Sequence, residues 1–272
     1  MSFAPVVPFG GFAGWSFLTR TMEAQKQAFT GQASVQRDTD YFREKIGSVK
    51  TAEDLVSDRR LLRVALGAFG LQDDIDSRFF IHKVLSDGTL DTTDLANRLS
   101  DKSYYQLASA FAFDLATPGT QVSTFADGII AAFQDRQFEE AVGGVNGDMR
   151  LALNARRELA DLAGRQSSED TKWFTILGSA PLRSLFQTAF GLPASFAGVD
   201  LDQQLGTMKD LAERYLGSDK VAQFAEPERV DDLIKLFLLR AQAREVASLS
   251  GGAVALSLLQ NAQSGSLLSR LA

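Results

Sequence analysis

Apolar residues recur at spacings of three and four along almost the whole chain, and strict alternation over five or more residues is scarce outside segments that also fit a helix. That periodicity confines the chain to helices that bury one face each, so the predicted fold class is all-α, a multi-helix bundle-like body. Six prolines in 272 residues agree with this, because average chains carry roughly 5% proline and helix interiors reject it. Glycine marks the stops, and Ser, Thr, Asp or Pro marks the starts. Thr51 caps a predicted helix through Leu61, Leu62, Val64, Ala65, Leu66 and Phe69, closed by Gly70. Further helices are expected over 73–85, with Asp87-Gly88 as the stop, over 91–99 and over 101–113.

After a turn at Thr117-Pro118-Gly119, the longest helical pattern spans 122–162. Gly143, Gly144 and Gly147 sit near its middle and cost about 1 kcal/mol each relative to alanine, which predicts a break there. Ser168 opens a helix through Trp173 and Ile176, Pro181 takes a first-turn position and Gly191 closes the segment. Asp200 with Gln203 opens a helix to about Leu216, and Pro227 opens the last, to about Leu249. Its Val230, Leu233, Ile234, Phe237, Leu238 and Ala241 form a face broad enough for a largely buried helix.

The expected organisation is an apolar arm at 1–19, a helical body at 20–250 and a tail at 251–272. The body divides into halves at 20–142 and 148–250, with a hinge at 143–147. Residues 1–19 carry no charge, but Pro5, Pro8, Gly10, Gly11 and Gly14 interrupt any helix there and no basic residue comes first, so neither a membrane span nor a signal peptide is expected. Phe3, Val6, Val7, Phe9, Phe12, Trp15 and Phe17 should instead cover a surface, most simply that of their own domain. In the tail, Leu256, Leu258, Leu259, Leu267, Leu268 and Leu271 form two apolar groups too short to be stable helices alone. They either dock on this chain or a neighbouring copy, or bind in a partner's groove.

Composition excludes several chemistries. There is no cysteine, hence no disulfide, thiolate metal site or cysteine nucleophile, and one histidine cannot build a histidine metal cluster. A net charge of −6 argues against nucleic acid as a partner. His82 has Ser77, Ser86, Asp76 and Asp87 close in sequence, but neighbours on one helix do not reach opposite ring nitrogens, so a structural histidine is expected. Asp73-Asp74-Ile75-Asp76 and the acids at 87, 91 and 94 miss the calcium-loop spacing and read as helix-opening acids. The glycine cluster at 143–147 lacks a phosphate-loop lysine and a preceding strand, and Arg59, Arg60, Arg63, Arg156 and Arg157 read as solvated or ion-paired. No catalytic, metal or cofactor residues are assigned.

One internal correspondence stands out. Leu61, Val64, Ala65, Ala68, Phe69, Gly70 and Leu71 align at a constant offset with Leu182, Leu185, Phe186, Ala189, Phe190, Gly191 and Leu192, and both copies end Ala-Phe-Gly-Leu. Glycine just past a helix, followed by an apolar residue that packs back, makes Phe69, Gly70, Leu71 and Phe190, Gly191, Leu192 structural repeat ends and the two halves related. Downstream, Ser100-Asp101-Lys102 recurs as Ser218-Asp219-Lys220.

The stretch from Asp58 through Ala68-Phe69-Gly70-Leu71 to Lys83-Val84-Leu85 and Leu95-Ala96-Asn97-Arg98-Leu99, with Arg136 to Gly143, Arg150 to Leu153, Ala189 to Pro193 and Asp200 to Gln204, resembles a bacterial, mainly alphaproteobacterial, family of unknown function. It is the one numbered twelve-seventeen among domains of unknown function. The resemblance spans roughly Ala33 to Ala243. It implies a flagellar setting, because genes of the family tend to lie among flagellar genes, and it brings no catalytic residues. Some relatives carry several copies of the first unit, whereas this chain has one clear and one degenerate copy. The function expected is therefore a non-enzymatic interaction or assembly protein of the flagellum with protein partners, in the cytoplasm or exported through the flagellar secretion system. The alternative is an enzyme or small-ligand protein that uses carboxylates alone.

Overall fold

The computed structural model describes the backbone of residues 3–268 and the side chains of 3–247, and among these residues there are helices and no strand. The α-helices are α1 (Gly11–Thr30), α2 (Ala33–Lys45), α3 (Ala52–Ser57), α4 (Arg59–Phe69), α5 (Arg78–Asp87), α6 (Leu95–Arg98) and α7 (Ser103–Phe111), then α8 (Phe125–Gly143), α9 (Gly147–Gly164), α10 (Glu169–Gly178), α11 (Ala180–Phe190), α12 (Leu201–Leu216) and α13 (Pro227–Leu268). The chain forms two compact units, the first from Met1–Pro8 and Ser16–Arg150, the second from Phe9–Trp15 and Leu151–Ala272.

In the first unit, α4 is the central helix. Leu62, Val64, Ala65 and Leu66 have no exposed surface, while Arg59 and Arg63 take the solvent side. Burying each leucine contributes about 2 kcal/mol before the entropy of ordering it is counted. Around α4 pack α2, α3, α7 and α8. The single helix expected from Thr51 to Phe69 is two. Thr51 does cap α3, with its hydroxyl accepting from the Asp54 amide and the Asp54 carboxylate accepting from the Thr51 amide. Asp58 is extended, however, and its carboxylate accepts from the Arg60 and Leu61 amides (2.9 and 3.1 Å), so a second cap restarts the helix one residue later. The helix expected from Asp73 begins only at Arg78, after a short 3₁₀ turn, and the one expected over 91–99 shrinks to α6.

In the second unit, α11 packs on α13, and α10 on α11 and α12. Trp173 and Phe186 stand edge to face at 5.4 Å, and Phe190 and Phe224 pack against Phe186 at 5.5 and 5.8 Å. The Trp173 indole N–H donates to the Asp219 carbonyl at 2.7 Å, which satisfies the one polar atom of the ring.

Each unit also carries the same local device. An extended residue, Asp58 or Ser179, leads into a helix of 11 residues that ends at a glycine with φ +77° (Gly70) or +73° (Gly191). The Leu71 amide donates to Leu66 and that of Gly70 to Gly67, as Leu192 donates to Gln187 and Gly191 to Thr188. These are the six-to-one and five-to-two bonds of a Schellman cap. An arginine from the long helix packed on each then reaches the cap, Arg136 of α8 at Gly70 and Arg240 of α13 at Gly191. The other correspondence does not carry over: Ser100-Asp101-Lys102 precedes α7, whereas Ser218-Asp219-Lys220 precedes a 3₁₀ turn.

The long pattern at 122–162 breaks between Gly143 and Gly147, where α8 ends and α9 begins. The two terminal segments differ from expectation. Helix α1 starts at Gly11 and runs through Gly14, because first-turn amides lack helical partners in any case and the burial of Trp15 and Leu18 offsets the glycine cost. Ahead of it the chain returns along α1 within the first unit, where Gln25 accepts from the Val6 amide and donates to its carbonyl, and Gln32 accepts from Phe3. Helix α13 passes Gly251-Gly252 without stopping; Ala, Val and Leu on both sides favour propagation over a new start. The side chains of Leu256, Leu258, Leu259, Leu267 and Leu268, and all of Leu271, lie outside the described residues.

Candidate functional site

Several ionisable groups of the first unit are engaged in holding the fold. His82 on α5 is 37% exposed and its Nε2 lies 3.5 Å from the Glu53 carboxylate. Asp76 pairs with Arg59 at 2.6 Å, Asp87 with Lys83 at 2.6 Å, and the Ser86 hydroxyl donates to the Lys83 carbonyl. Asp76, Asp87 and Ser86 therefore have partners other than His82. Asp74, Asp91 and Asp94 are likewise occupied. Asp74 accepts from the Tyr104 hydroxyl at 2.7 Å, and burial followed by that carboxylate pushes the phenol well above its usual range. Asp94 accepts from the Asp91 amide, while Asp91 accepts from the amide and hydroxyl of Thr93, which hold it below the ordinary carboxylate range. Among the described residues no three His, Asp or Glu side chains converge on a metal position.

Arg60 and Arg63 both pair with Asp38, at 3.0 and 3.3 Å, and the Arg60 guanidinium lies 4.4 Å from the Tyr41 ring centre. Asp38 and Arg63 line a cavity of about 140 Å³ with Val35, Gln72, Phe133 and Gln137. That is below the roughly 300–1,000 Å³ typical of small-molecule sites, and its charges already neutralise each other. Asp58 takes the Tyr41 hydroxyl at 2.7 Å besides its two amides; burial raises its pKa, and these donors outweigh burial and hold it low.

Among the described residues of the second unit, Lys172 and Glu169 form an ion pair with a buried lysine. Lys172, 5% exposed, donates to the Ala163 carbonyl at the end of α9 and to Glu169 at 3.2 Å. Glu169 also accepts from the Val221 and Ala222 amides, and although burial raises its pKa, Lys172 and these amides bring it below the usual range. The pair ties the ends of three segments together. Among the described acids, Glu139 is the one that is buried, so two buried carboxylates facing each other are not among the described residues.

What the second unit does offer is an apolar surface. Phe9 is 60% exposed, Phe12 37%, Leu239 50% and Val246 60%. The Phe12 ring lies 5.6 Å from the Lys235 ammonium, and Gly11 lies against Gln242. Lys235, Leu239, Gln242 and Val246 follow one another at helical spacing along α13, apart from the buried face that begins at Val230. From Gln242 to Ala247 every residue is exposed. Phe9 and Phe12 were legible as arm aromatics in the sequence. Leu239 was not, because it falls outside the face that marks this helix as buried; its signal is a lone leucine on the polar side. Elsewhere, Phe79 at the start of α5 is 86% exposed.

Together the described residues form an all-α protein with many of its charges in caps and ion pairs and with Leu239 and Val246 exposed on its last helix. The profile of the family described as protein of unknown function (DUF1217) matches residues 68–230, and the chain belongs to that family. It is similar to an Agrobacterium tumefaciens protein of known crystal structure, with 26% identity over 89% of this chain and 99% of that one and a TM-score of 0.73. No curated protein matches the chain. No described helix is long and apolar enough to cross a membrane.

Proposed function

We propose that this protein works by protein–protein contact in the bacterial flagellar system, as a structural component or as an export or assembly factor, and that it catalyses no reaction. The observation that carries the contact role is the exposed stripe of Leu239 and Val246 on α13, beside Phe9 and Phe12. Apolar surface gathered in this way commonly marks a binding site. The flagellar setting is an expectation carried over from the sequence resemblance, since genes of the family it resembles tend to lie among flagellar genes. The matching Schellman caps, each reached by an arginine from a neighbouring long helix, support reading the two units as versions of one helical module. Action in the cytoplasm and passage through the flagellar export channel both suit a chain without cysteine. A strain lacking the gene is expected to swim poorly; normal swimming with normal filaments overturns the proposal.

A further inference from the structure

Basic side chains of the second unit divide into two sets. Arg165 pairs with Asp161, Arg229 with Glu226, Lys172 with Glu169 and Lys209 with Asp170. Arg214, Arg240 and Arg244 differ, although the chain has 34 acidic side chains against 28 basic ones. Among the described residues no carboxylate lies within 4.0 Å of their guanidinium nitrogens.

The three arginines come together around one aromatic pair. Tyr215, near the end of α12, stacks on Phe190, the last residue of α11, with ring centres 5.9 Å apart and planes inclined by 22°. The Arg240 guanidinium of α13 stands over the Tyr215 ring at 5.0 Å, and that of Arg214 at 5.6 Å. One turn beyond Arg240, Arg244 donates to the Leu192 carbonyl at 2.9 Å and to the Thr188 hydroxyl at 3.3 Å.

Helix C-termini attract cations, and two helices end here, α11 at Phe190 and α12 at Leu216. Each end carries about half a negative charge, so together they balance about one guanidinium of the three. The rest of the charge is open to solvent: Arg214 and Arg244 are exposed, Arg240 is half-buried and Tyr215 is 38% exposed. An arginine laid on an aromatic ring is held by its face, which leaves its N–H edge free to fork onto a carboxylate.

Charge complementarity selects an anion, and the size of the patch selects its source. A nucleic acid or an anionic membrane is an extended polyanion that would also meet the chain's net charge of −6. A short run of Glu or Asp side chains spans a few guanidiniums and needs no wider basic surface. We infer that Arg214, Arg240 and Arg244, together with Tyr215, dock an acidic segment of the partner protein whose contact role is proposed above, so the patch stands only if that role does.

Fluorescence anisotropy of a labelled hexaglutamate peptide with the full chain reads the affinity. Arg214→Gln and Arg240→Gln should each weaken binding by about five- to tenfold. Arg165→Gln, which removes the same charge from an acid-paired site, should weaken it by less than about twofold. The Arg214 side chain donates no hydrogen bond among the described residues, so Arg214→Gln should keep the native circular dichroism. Equal weakening by Arg165→Gln overturns the inference, as does a native chain that does not bind the peptide. Tighter binding of a single-stranded oligodeoxynucleotide or of phosphatidylserine vesicles overturns it too. Swimming separates the two proposals: if the peptide results fail, a poorly swimming deletion strain leaves the contact role standing on another surface, and a normally swimming one removes both.

Discussion

Replacing Gly70 by alanine puts the Schellman cap of α4 to a quantitative test. The residue sits at φ +77°, where an L side chain costs about 1–2 kcal/mol. An added Cβ would also stand 2.8 Å from a terminal nitrogen of the Arg136 guanidinium, which must move. Moving it loosens the bond from Arg136 Nε to the Ala68 carbonyl at 2.9 Å, worth about 1 kcal/mol at a partly exposed site. Gly70→Ala should therefore destabilise by about 2–3 kcal/mol, and Gly70→Val by more, since a β-branched residue fits the left-handed region worse. Gly217→Ala is the internal control: φ is +83° and nothing lies within 4 Å of an added Cβ, so only the backbone cost of about 1–2 kcal/mol applies. Urea unfolding followed by far-ultraviolet circular dichroism is the assay. Both tryptophans, Trp15 and Trp173, belong to the second unit, so their fluorescence would not report the first directly. A Gly70→Ala loss below about 0.5 kcal/mol refutes the backbone argument. Equal losses at 70 and 217 refute the part assigned to Arg136, which Arg136→Ala in the Gly70→Ala background tests as a cycle.

Other expectations follow from the same contacts. Asp58→Ala removes the cap of α4 and the acceptor of the Tyr41 hydroxyl together, and should cost about 1–2 kcal/mol in denaturant titrations. Lys172→Met leaves the Ala163 carbonyl and Glu169 without their buried cation; a loss of about 3 kcal/mol is expected in urea, moderated by the partial exposure of Glu169. Asp58 and Glu169 both titrate below their ordinary values when folded. The unfolded chain then binds more protons, so their contribution is complete above about pH 5 and is lost as the pH falls through roughly 4 and below. Melting curves from pH 7 to 3 should show that decline, less steeply in Asp58→Asn. Phe79→Ser removes an aromatic that is 86% exposed and should shift stability by less than about 0.5 kcal/mol.

The sequence by itself determined the helical class, the helix ends at Gly70 and Gly191 and the absence of cysteine chemistry. Each of these is a local matter. Spacing at three and four residues decides the period, and Ala-Phe-Gly-Leu at Gly70 and Gly191 decides two left-handed caps, because only glycine takes that backbone without strain. Only the tertiary structure decided where continuous patterns divide or persist. Asp58 splits a predicted helix by capping the Arg60 and Leu61 amides, and Tyr41, a neighbour in space and not in sequence, adds a third donor to that carboxylate. Gly11 and Gly14 remain helical because the burial of Trp15 and Leu18 outweighs a propensity cost of about 1 kcal/mol each. The pairing of Arg60 and Arg63 with one aspartate, and the exposure of Leu239 opposite a buried face, depend on which helices pack together. Packing is a sum over distant residues, and no window of sequence contains it.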